Sequence, residues 1–234
     1  MLTLKTACLR KIMVAGALSV LACPSFAQLA DSTRIIVQDG WIEKMDDNII
    51  LKVGLNNNYE TFVQKTSGFD YSLYPNITTN VSIGLDYRFI SASFEFAPKF
   101  FPGNGDDDIY GKTDAFSFGL STIFRHWAVA AKYTHVTGYY LQNTPDFDPL
   151  WQKGDPYFML PETEYKAFTA TVGYSFNSKL SMRSLTTFTE RQLKSTGSFI
   201  PTLNLRYFLT DRNDKPIGTS TNQKTGNFDL TAGP

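Results

Sequence analysis

Side chains of contrasting character alternate along residues 125–143, "RHWAVAAKYTHVTGYYLQN". One set of alternate positions is large and mostly apolar, with Trp127, Val129 and Tyr133 among its members. The other set is small and carries one charge, on Lys132. A period of two in a stretch rich in aromatic and β-branched residues is typical of a β-strand with two unlike faces. The question for any fold of this chain is which solvent the large apolar face meets.

The same alternation recurs along the chain and predicts an all-β, antiparallel fold. Six further segments set apolar residues against Gly, Ser, Thr, Ala and isolated charges: residues 48–59, 80–89, 92–98, 115–124, 167–176 and 199–209. Residues 180–192 are ambiguous, because apolar Leu180 and Met182 share a face with Ser184. Two architectures fit these patterns. A soluble sandwich or lipocalin-like barrel turns the apolar faces inward, and an outer-membrane up-and-down barrel turns them toward lipid.

Residues 1–27 have the form of a secretory signal peptide. Three basic residues precede an apolar run at residues 12–22, and the small residues Ser25 and Ala27 follow it. We predict cleavage after Ala27. A lipoprotein signal with lipid on Cys23 is the alternative, whereas a retained anchor fits less well because the run is shorter than the ~20 residues that a spanning helix needs.

Removal of the signal peptide changes the charge and the redox chemistry of the chain. It takes three basic residues and no acidic ones from 22 of each, which leaves 19 minus 22, or −3. It also removes Cys8 and Cys23, the only cysteines. Without a basic excess, nucleic acid is not an expected partner. The predicted organisation is a signal peptide (1–27), a polar periplasmic lead (28–48) and one β-domain (49–234).

The positions of aromatic residues favour the membrane architecture. Trp127 and Tyr139 lie on one predicted face, twelve residues apart. At ~3.3 Å per residue and ~40° tilt this is roughly 30 Å, near the height of an apolar band between two aromatic girdles. The predicted girdle is Trp127, Tyr139 and Tyr140, and the predicted surrounding partner is outer-membrane lipid.

The connections also alternate in length. Short turns are predicted at 88–91, 125–126 and 177–179, and longer connections at 99–114, 141–164 and 193–198. If the first strand rises from the periplasm, the short turns are periplasmic and the long loops are external, as in outer-membrane barrels. Residues 211–227 disagree, because they are long and polar but fall on the periplasmic side in this count.

Charged residues on the small face would line the interior of such a barrel. The predicted lumen set is Lys52, Asp86, Arg88, Glu95, Lys132, Arg183, Arg191 and Arg206. In an open channel their basic excess would favour anionic solutes. The alternative is that they pair across a narrow interior and fill it. His135 falls on the apolar face, where an imidazole is costly in lipid unless it is neutral and shielded.

No catalytic, metal or cofactor site is predicted, and the chain is not expected to be an enzyme. It has two histidines, His126 and His135, and lacks a Gly-x-Ser-x-Gly elbow, a paired-histidine metal spacing and a phosphate loop. The acidic loop at 103–114 lacks the ligand spacing of an EF-hand. The remaining hypotheses are a small-solute channel, a structural barrel with a filled lumen, a barrel that acts in adhesion through loops such as 141–164, and a soluble exported β-sandwich.

Three stretches carry a resemblance to a known family. Residues 74–98, 125–141 and 188–208 resemble an uncharacterised family of Gram-negative outer-membrane β-barrel proteins, and the similarity covers most of residues 45–234. The resemblance implies a barrel in the outer membrane and transfers no catalytic residue. Insertion would then need the barrel-assembly machinery. Such proteins usually continue past the segment that resembles 228–234, so about eight to ten strands of an incomplete barrel are expected here.

Overall fold

The computed structural model describes residues 35–37, 40–45, 47–66, 69–212 and 223–233. The predicted signal peptide and its cleavage site after Ala27 lie outside these residues. The described strands are β1 (Ile35–Val37), β2 (Ile42–Lys44), β3 (Ile49–Asn56), β4 (Phe62–Thr66), β5 (Phe69–Tyr74), β6 (Asn80–Tyr87), β7 (Ile90–Phe96), β8 (Asp114–Phe124), β9 (Trp127–Leu141), β10 (Phe158–Tyr174), β11 (Glu190–Gln192), β12 (Thr202–Arg212) and β13 (Gln223–Gly233). Two short helices, α1 (Asp107–Tyr110) and α2 (Met182–Thr186), and a 3₁₀ turn at Thr144–Asp146 complete the described elements.

Eight strands form one antiparallel meander, in the order β13-β12-β10-β9-β8-β7-β6-β3. The prediction of an all-β, antiparallel fold is therefore confirmed. The hairpin β4–β5 joins this sheet where Leu73 and Tyr74 pair with the last residues of β9. In the part of the chain that the structure describes, β3 and β13 each pair on one side only, so barrel closure is not seen. A separate small sheet has the order β1-β2-β11.

Over the middle of the meander, the strand register places the large apolar residues on one side. One row of paired residues crosses all eight strands at Leu51, Leu85, Ala92, Leu120, Ala131, Ala170, Leu205 and Leu230. We call this side the apolar face, and it is exposed, as Leu51 (67%) and Leu120 (49%) illustrate. The neighbouring row, on the polar face, is Lys52, Gly84, Ser93, Gly119, Lys132, Thr169, Arg206 and Asp229.

The meander curls with its polar face inside. Arg206 on β12 lies 2.8 Å from the carboxylate of Glu60, which follows β3. Lys52 on β3 donates to the carbonyl oxygen of Thr186, in the connection from β10 to β12, at 3.1 Å. Five strands separate β3 from β12 in the sheet order. Contacts between these two sides are possible only if the sheet bends around the polar face.

The two ends of the meander differ. At the turn end, two-residue turns join β6 to β7 and β8 to β9, and Arg88 and Arg125 adopt the left-handed conformation there, each with φ of 53°. The loop end holds the connections 97–113 and 142–157. Arg212 and Gln223 also pair at the loop end, opposite the β10 residue Thr163.

This pairing corrects the predicted position of residues 211–227. The connection from β12 to β13 begins and ends at the loop end, with the other long loops, and not at the turn end. The prediction counted residues 180–192 as one strand of the meander. It failed because these residues are not such a strand but contain α2 and β11. The whole connection 175–201 therefore lies at the turn end, including residues 193–198, which were predicted to form a loop at the other end. We call residues 175–201 the crossing segment.

An irregularity in the pairing of β9 with β10 near the loop end, at Gly138, exchanges the two faces of β9. Gly138 has φ of 88°, and a β-carbon there would overlap the carbonyl oxygen of Lys112. The register of β9 with β10 also shifts, between Leu160 and Glu164. As a result Val136 and Tyr139, an odd number of residues apart, are both buried on the concave side.

The hydrophobic core lies at the loop end, inside the curl. Its buried members are Leu73, Ile77, Val136, Tyr139, Leu141, Tyr165 and Ala167. The hairpin β4–β5 supplies Phe62, whose ring packs 5.6 Å from Tyr139 and 5.1 Å from Tyr165. The core thus fastens this hairpin across the concave side, and the loop end is filled by apolar side chains.

Candidate functional site

Among the described residues, the predicted lumen residues come together only on the concave polar face. They form ion pairs there. Lys52 lies 2.7 Å from Asp86, whose side chain is fully buried. Asp86 also accepts a hydrogen bond from Ser91, opposite it on β7. Lys52 and Asp86 were both predicted to face inward, because they alternate along their strands with Leu51 and Leu85. A buried carboxylate is tolerated here because a cation and a hydroxyl satisfy it.

Two further pairs follow toward the loop end. Lys132 lies 2.7 Å from Glu95, and Glu95 also accepts from the Asn56 amide at 2.5 Å. Arg206 binds Glu60 at 2.8 Å and donates to the hydroxyl oxygen of Tyr165 at 2.6 Å. The partners Glu60 and Tyr165 were not predicted.

The structure places the other three predicted lumen residues away from the strands of the polar face. Arg88 lies in the β6–β7 turn and is exposed, with its guanidinium 5.2 Å from the ring of Tyr87. Arg183 belongs to α2, where it pairs with Glu190 at 3.3 Å. Arg191 belongs to β11 of the small sheet and binds Glu43 at 3.2 Å. The alternation misplaced them because the β6 strand ends at Tyr87 and because residues 180–192 do not continue the meander.

Two cavities open on the polar face and share Lys132. One, of about 490 Å³, extends under residues 57–60 and is lined by Glu95, Ser117 and Thr134. The other, of about 360 Å³, is lined mainly by Ser, Gly, Ala and Thr side chains of β7 to β10. Small side chains leave this space, since the polar row holds Gly84, Ser93 and Gly119 where larger residues would fill it.

The crossing segment lies over the turn end of the polar face. Its Thr186 carbonyl oxygen accepts from Lys52, and its Thr189 hydroxyl donates to the carbonyl oxygen of Arg88 at 2.6 Å. Arg183 donates to the carbonyl oxygen of Ile123, at the end of β8, at 3.2 Å. The segment starts and ends beside β10 and β12 but bonds to β3, the β6–β7 turn and β8, so it spans the width of the curl.

Aromatic residues gather at both ends of the apolar face. At the turn end, Trp127 packs edge-on against Tyr174 at 4.8 Å, and Phe176 packs against Tyr174 and Phe199. Trp127 therefore lies in an aromatic group at the turn end of the apolar face.

At the loop end, Tyr140 contacts Tyr74, Tyr110 and Tyr157. Burial raises the pKa of the Tyr157 hydroxyl above its usual value, and Tyr110 raises it further. Tyr140 thus belongs to an aromatic group near its predicted place. Tyr139 does not, because the irregularity at Gly138 turns it into the core, where it is buried.

His135 lies on the apolar face, as predicted, but in a polar group. Its Nε2 atom is 2.6 Å from Glu164, and the hydroxyl of Thr137 is at 3.2 Å. Lys166 lies 2.7 Å from the other carboxylate oxygen of Glu164. The ring of Phe116 meets the imidazole edge-on at 5.3 Å. Charged residues therefore begin at this level of the apolar face, toward the loop end.

The family described as Domain of unknown function (DUF4421) matches residues 37–232, nearly the whole described meander. The chain belongs to this family. No curated protein and no solved structure matches this DUF4421 chain. In the described ranges of the DUF4421 domain, no helix is long and apolar enough to cross a membrane, and no group of three or more His, Cys, Asp or Glu side chains is placed to hold a metal ion.

Proposed function

We propose that this DUF4421 chain is an exported outer-membrane β-barrel protein whose apolar face contacts lipid and whose lumen is filled by its own side chains. The apolar face carries the proposal. It is continuous across eight strands in register, and its large side chains are exposed on every strand of the meander. Soluble monomers rarely expose contiguous apolar patches of more than a few hundred Å².

The height of the apolar face fits the hydrocarbon core of an outer membrane. Trp127 marks the turn end, and His135 with Glu164 and Lys166 marks the first charged level toward the loop end. Trp127 and His135 are eight positions apart on β9, which is roughly 20 Å at ~3.3 Å per residue and ~40° tilt. The apolar band of such barrels is ~25 Å tall.

The ion pairs favour a filled lumen over an open anion channel. Lys52, Lys132 and Arg206 each lie within 2.8 Å of a carboxylate, so these three charges of the polar face are neutralised. The hairpin β4–β5 fills the loop end and the crossing segment lies over the turn end. The proposed role is structural and non-enzymatic.

The proposal includes the route to the membrane. Residues 1–27 would direct export, with cleavage after Ala27, and the barrel-assembly machinery would insert the domain. The expected partner is outer-membrane lipid, with no role for nucleic acid.

Fractionation and gel mobility test this proposal. The full-length chain, expressed in a Gram-negative host, should stay with the outer-membrane fraction through a carbonate wash and run faster on a gel when unheated than when boiled. It should conduct ions poorly in planar bilayers. Release by carbonate would refute the membrane assignment, and a large steady conductance would refute the filled lumen.

A second candidate, adhesion through external loops, rests on two side chains. Phe100 (82% exposed) and Leu150 (85% exposed) project from the loop-end connections 97–113 and 142–157. If these loops act in adhesion, cells that display the chain should aggregate, and Phe100→Ser with Leu150→Ser should reduce the aggregation. Equal aggregation by both forms would exclude these two side chains as the contact.

A further inference from the structure

We infer that residues 180–193, the central part of the crossing segment, form a releasable plug that separates the internal cavities from the turn end, and that Lys52 latches this plug to the wall. The inference goes beyond a filled lumen, because it distinguishes a permanent wall from one removable part. We call the meander strands and the turns between them the wall.

The plug reaches across the curl and not along one side of it. It is covalently tied to β10 and β12, yet it bonds to β3 through Lys52 and to the β6–β7 turn through Thr189. Four meander strands, β9 to β6, separate its attachment points from β3 on the shorter route through the sheet. A segment that bonds to both sides of a curled sheet obstructs the space between them.

Lys52 is the connection between wall and plug. Its ammonium group lies 2.7 Å from Asp86 on the wall and donates to the carbonyl oxygen of Thr186 on the plug at 3.1 Å. The ring of Phe188, also on the plug, lies 5.8 Å from the same nitrogen. Asp86 is buried and fixes the position of the ammonium group, so Lys52 adds a fixed contact to those that Thr189 and Arg183 make with the wall.

The interface between plug and wall is polar, which makes the plug releasable. Thr187 and Thr189 are fully buried and bonded to each other, and Thr189 bonds to a wall carbonyl. Among the large apolar residues of the plug, Met182 (7%) is buried, whereas Leu185 (59%) and Phe188 (49%) are largely exposed. Water can replace polar contacts of this kind at small net cost. The hairpin β4–β5 has no such freedom, because its contact with the wall is the hydrophobic core.

Strain is stored at the same place. Phe188 has φ of 56°, a left-handed conformation that is unusual for an aromatic residue, and it lies between the two buried threonines. A residue keeps a strained backbone conformation of this kind only when the surrounding structure holds it there. If the plug moves away from the wall, this backbone can relax, so release relieves strain and does not create it.

The space behind the plug is wide enough for water and small solutes. Ser121 lines the cavity of about 360 Å³. It lies on β8, opposite Ser91, whose hydroxyl donates to Asp86. The two cavities share Lys132 as a lining residue. Release of the plug would therefore join these cavities to the turn end, and the gated contents would be water, small ions and hydrophilic solutes.

Thiol labelling tests the inference on the folded, exported protein after removal of residues 1–27. The predicted mature chain has no cysteine, so Ser121→Cys provides a single reporter in the interior, and Gln142→Cys provides a control reporter on an exposed loop. Lys52→Met removes the latch. Lys179→Met is the matched control, because Lys179 is an exposed lysine of the crossing segment that stacks on Trp41 and not on the wall.

We expect Lys52→Met to raise the labelling rate at position 121 at least tenfold with a hydrophilic maleimide, and Lys179→Met to leave it within twofold. Replacement of residues 182–189 by a Gly/Ser linker should raise the rate further, while labelling at position 142 stays constant in all forms. Unchanged labelling at position 121 in the linker variant, with heat-modifiable mobility retained, would overturn the inference. Labelling is measured in detergent as well as in vesicles, so a failure of the membrane assignment is detected separately, by the carbonate wash.

Discussion

An arginine substituted at the centre of the apolar face would show whether lipid or water surrounds that face. Leu120 lies four residues from Phe116 and four from Phe124 along β8, so it is roughly 10 Å from either edge of the apolar band at ~3.3 Å per residue and ~40° tilt. Arginine at the bilayer midplane of a barrel costs ~2–4 kcal/mol. At 1.4 kcal/mol per factor of ten, Leu120→Arg should lower the folding equilibrium constant roughly 30-fold to 700-fold.

In water the same change would be nearly neutral, because exposed substitutions usually stay within ~0.5 kcal/mol. The assay is urea-dependent folding into phospholipid vesicles, followed by tryptophan fluorescence and by gel mobility of unheated samples. Leu150→Arg is the matched control, since Leu150 is more exposed than Leu120 and lies on a loop-end connection. Equal, small effects of the two arginines would refute the reasoning that the apolar face meets lipid.

Three further predictions concern the wall and the core. Gly138→Ala should cost more stability than Gly154→Ala, since both residues have positive φ but only at Gly138 would the β-carbon overlap backbone; equal losses in urea titrations would count against the irregularity at Gly138. Tyr139→Phe should be neutral or stabilise by up to about 1 kcal/mol, because the buried hydroxyl has no hydrogen-bond partner in the described residues; a loss above that size in the same titration would show a missing partner. Asp86→Ala should cost ~1.5–3 kcal/mol, as loss of a hydrogen bond to a charged group does, because the Lys52 that remains is partly exposed; Asp114→Ala, in an exposed pair with Lys112, should change stability little, and similar melting temperatures for the two variants would contradict the burial of Asp86.

The sequence predicted the faces of the strands well where alternation is unbroken. Leu85 and Asp86 fall on opposite faces as expected, and so do Ala131 and Lys132. A period of two needs only local backbone geometry, so one sequence suffices to read it. The same reading failed at Tyr139, because the irregularity there depends on a close backbone approach between Gly138 and Lys112 that alternation does not record.

The partners of the polar face could not be predicted in the same way. Glu60 and Tyr165 bind Arg206 from a connection and from a neighbouring strand, and their meeting depends on how far the sheet curls. The crossing segment was missed because its helix, α2, is one short turn capped by Ser181 and its strand, β11, pairs with the distant β2, so neither has a periodic pattern long enough to read. Arg183 and Arg191 were assigned to the wall for this reason.

The bonds of the crossing segment also constrain how this protein can fold. Thr189 and Arg88 are 101 positions apart in the chain, and Lys52 and Thr186 are 134 apart. Contacts between such distant positions form slowly, because a long loop must close before they contribute. These contacts lie inside the curl, so they can form only after the sheet has bent enough to bring β3 and the β6–β7 turn near this connection. Folding rate, more than final stability, is thus the property that changes in this connection should affect first.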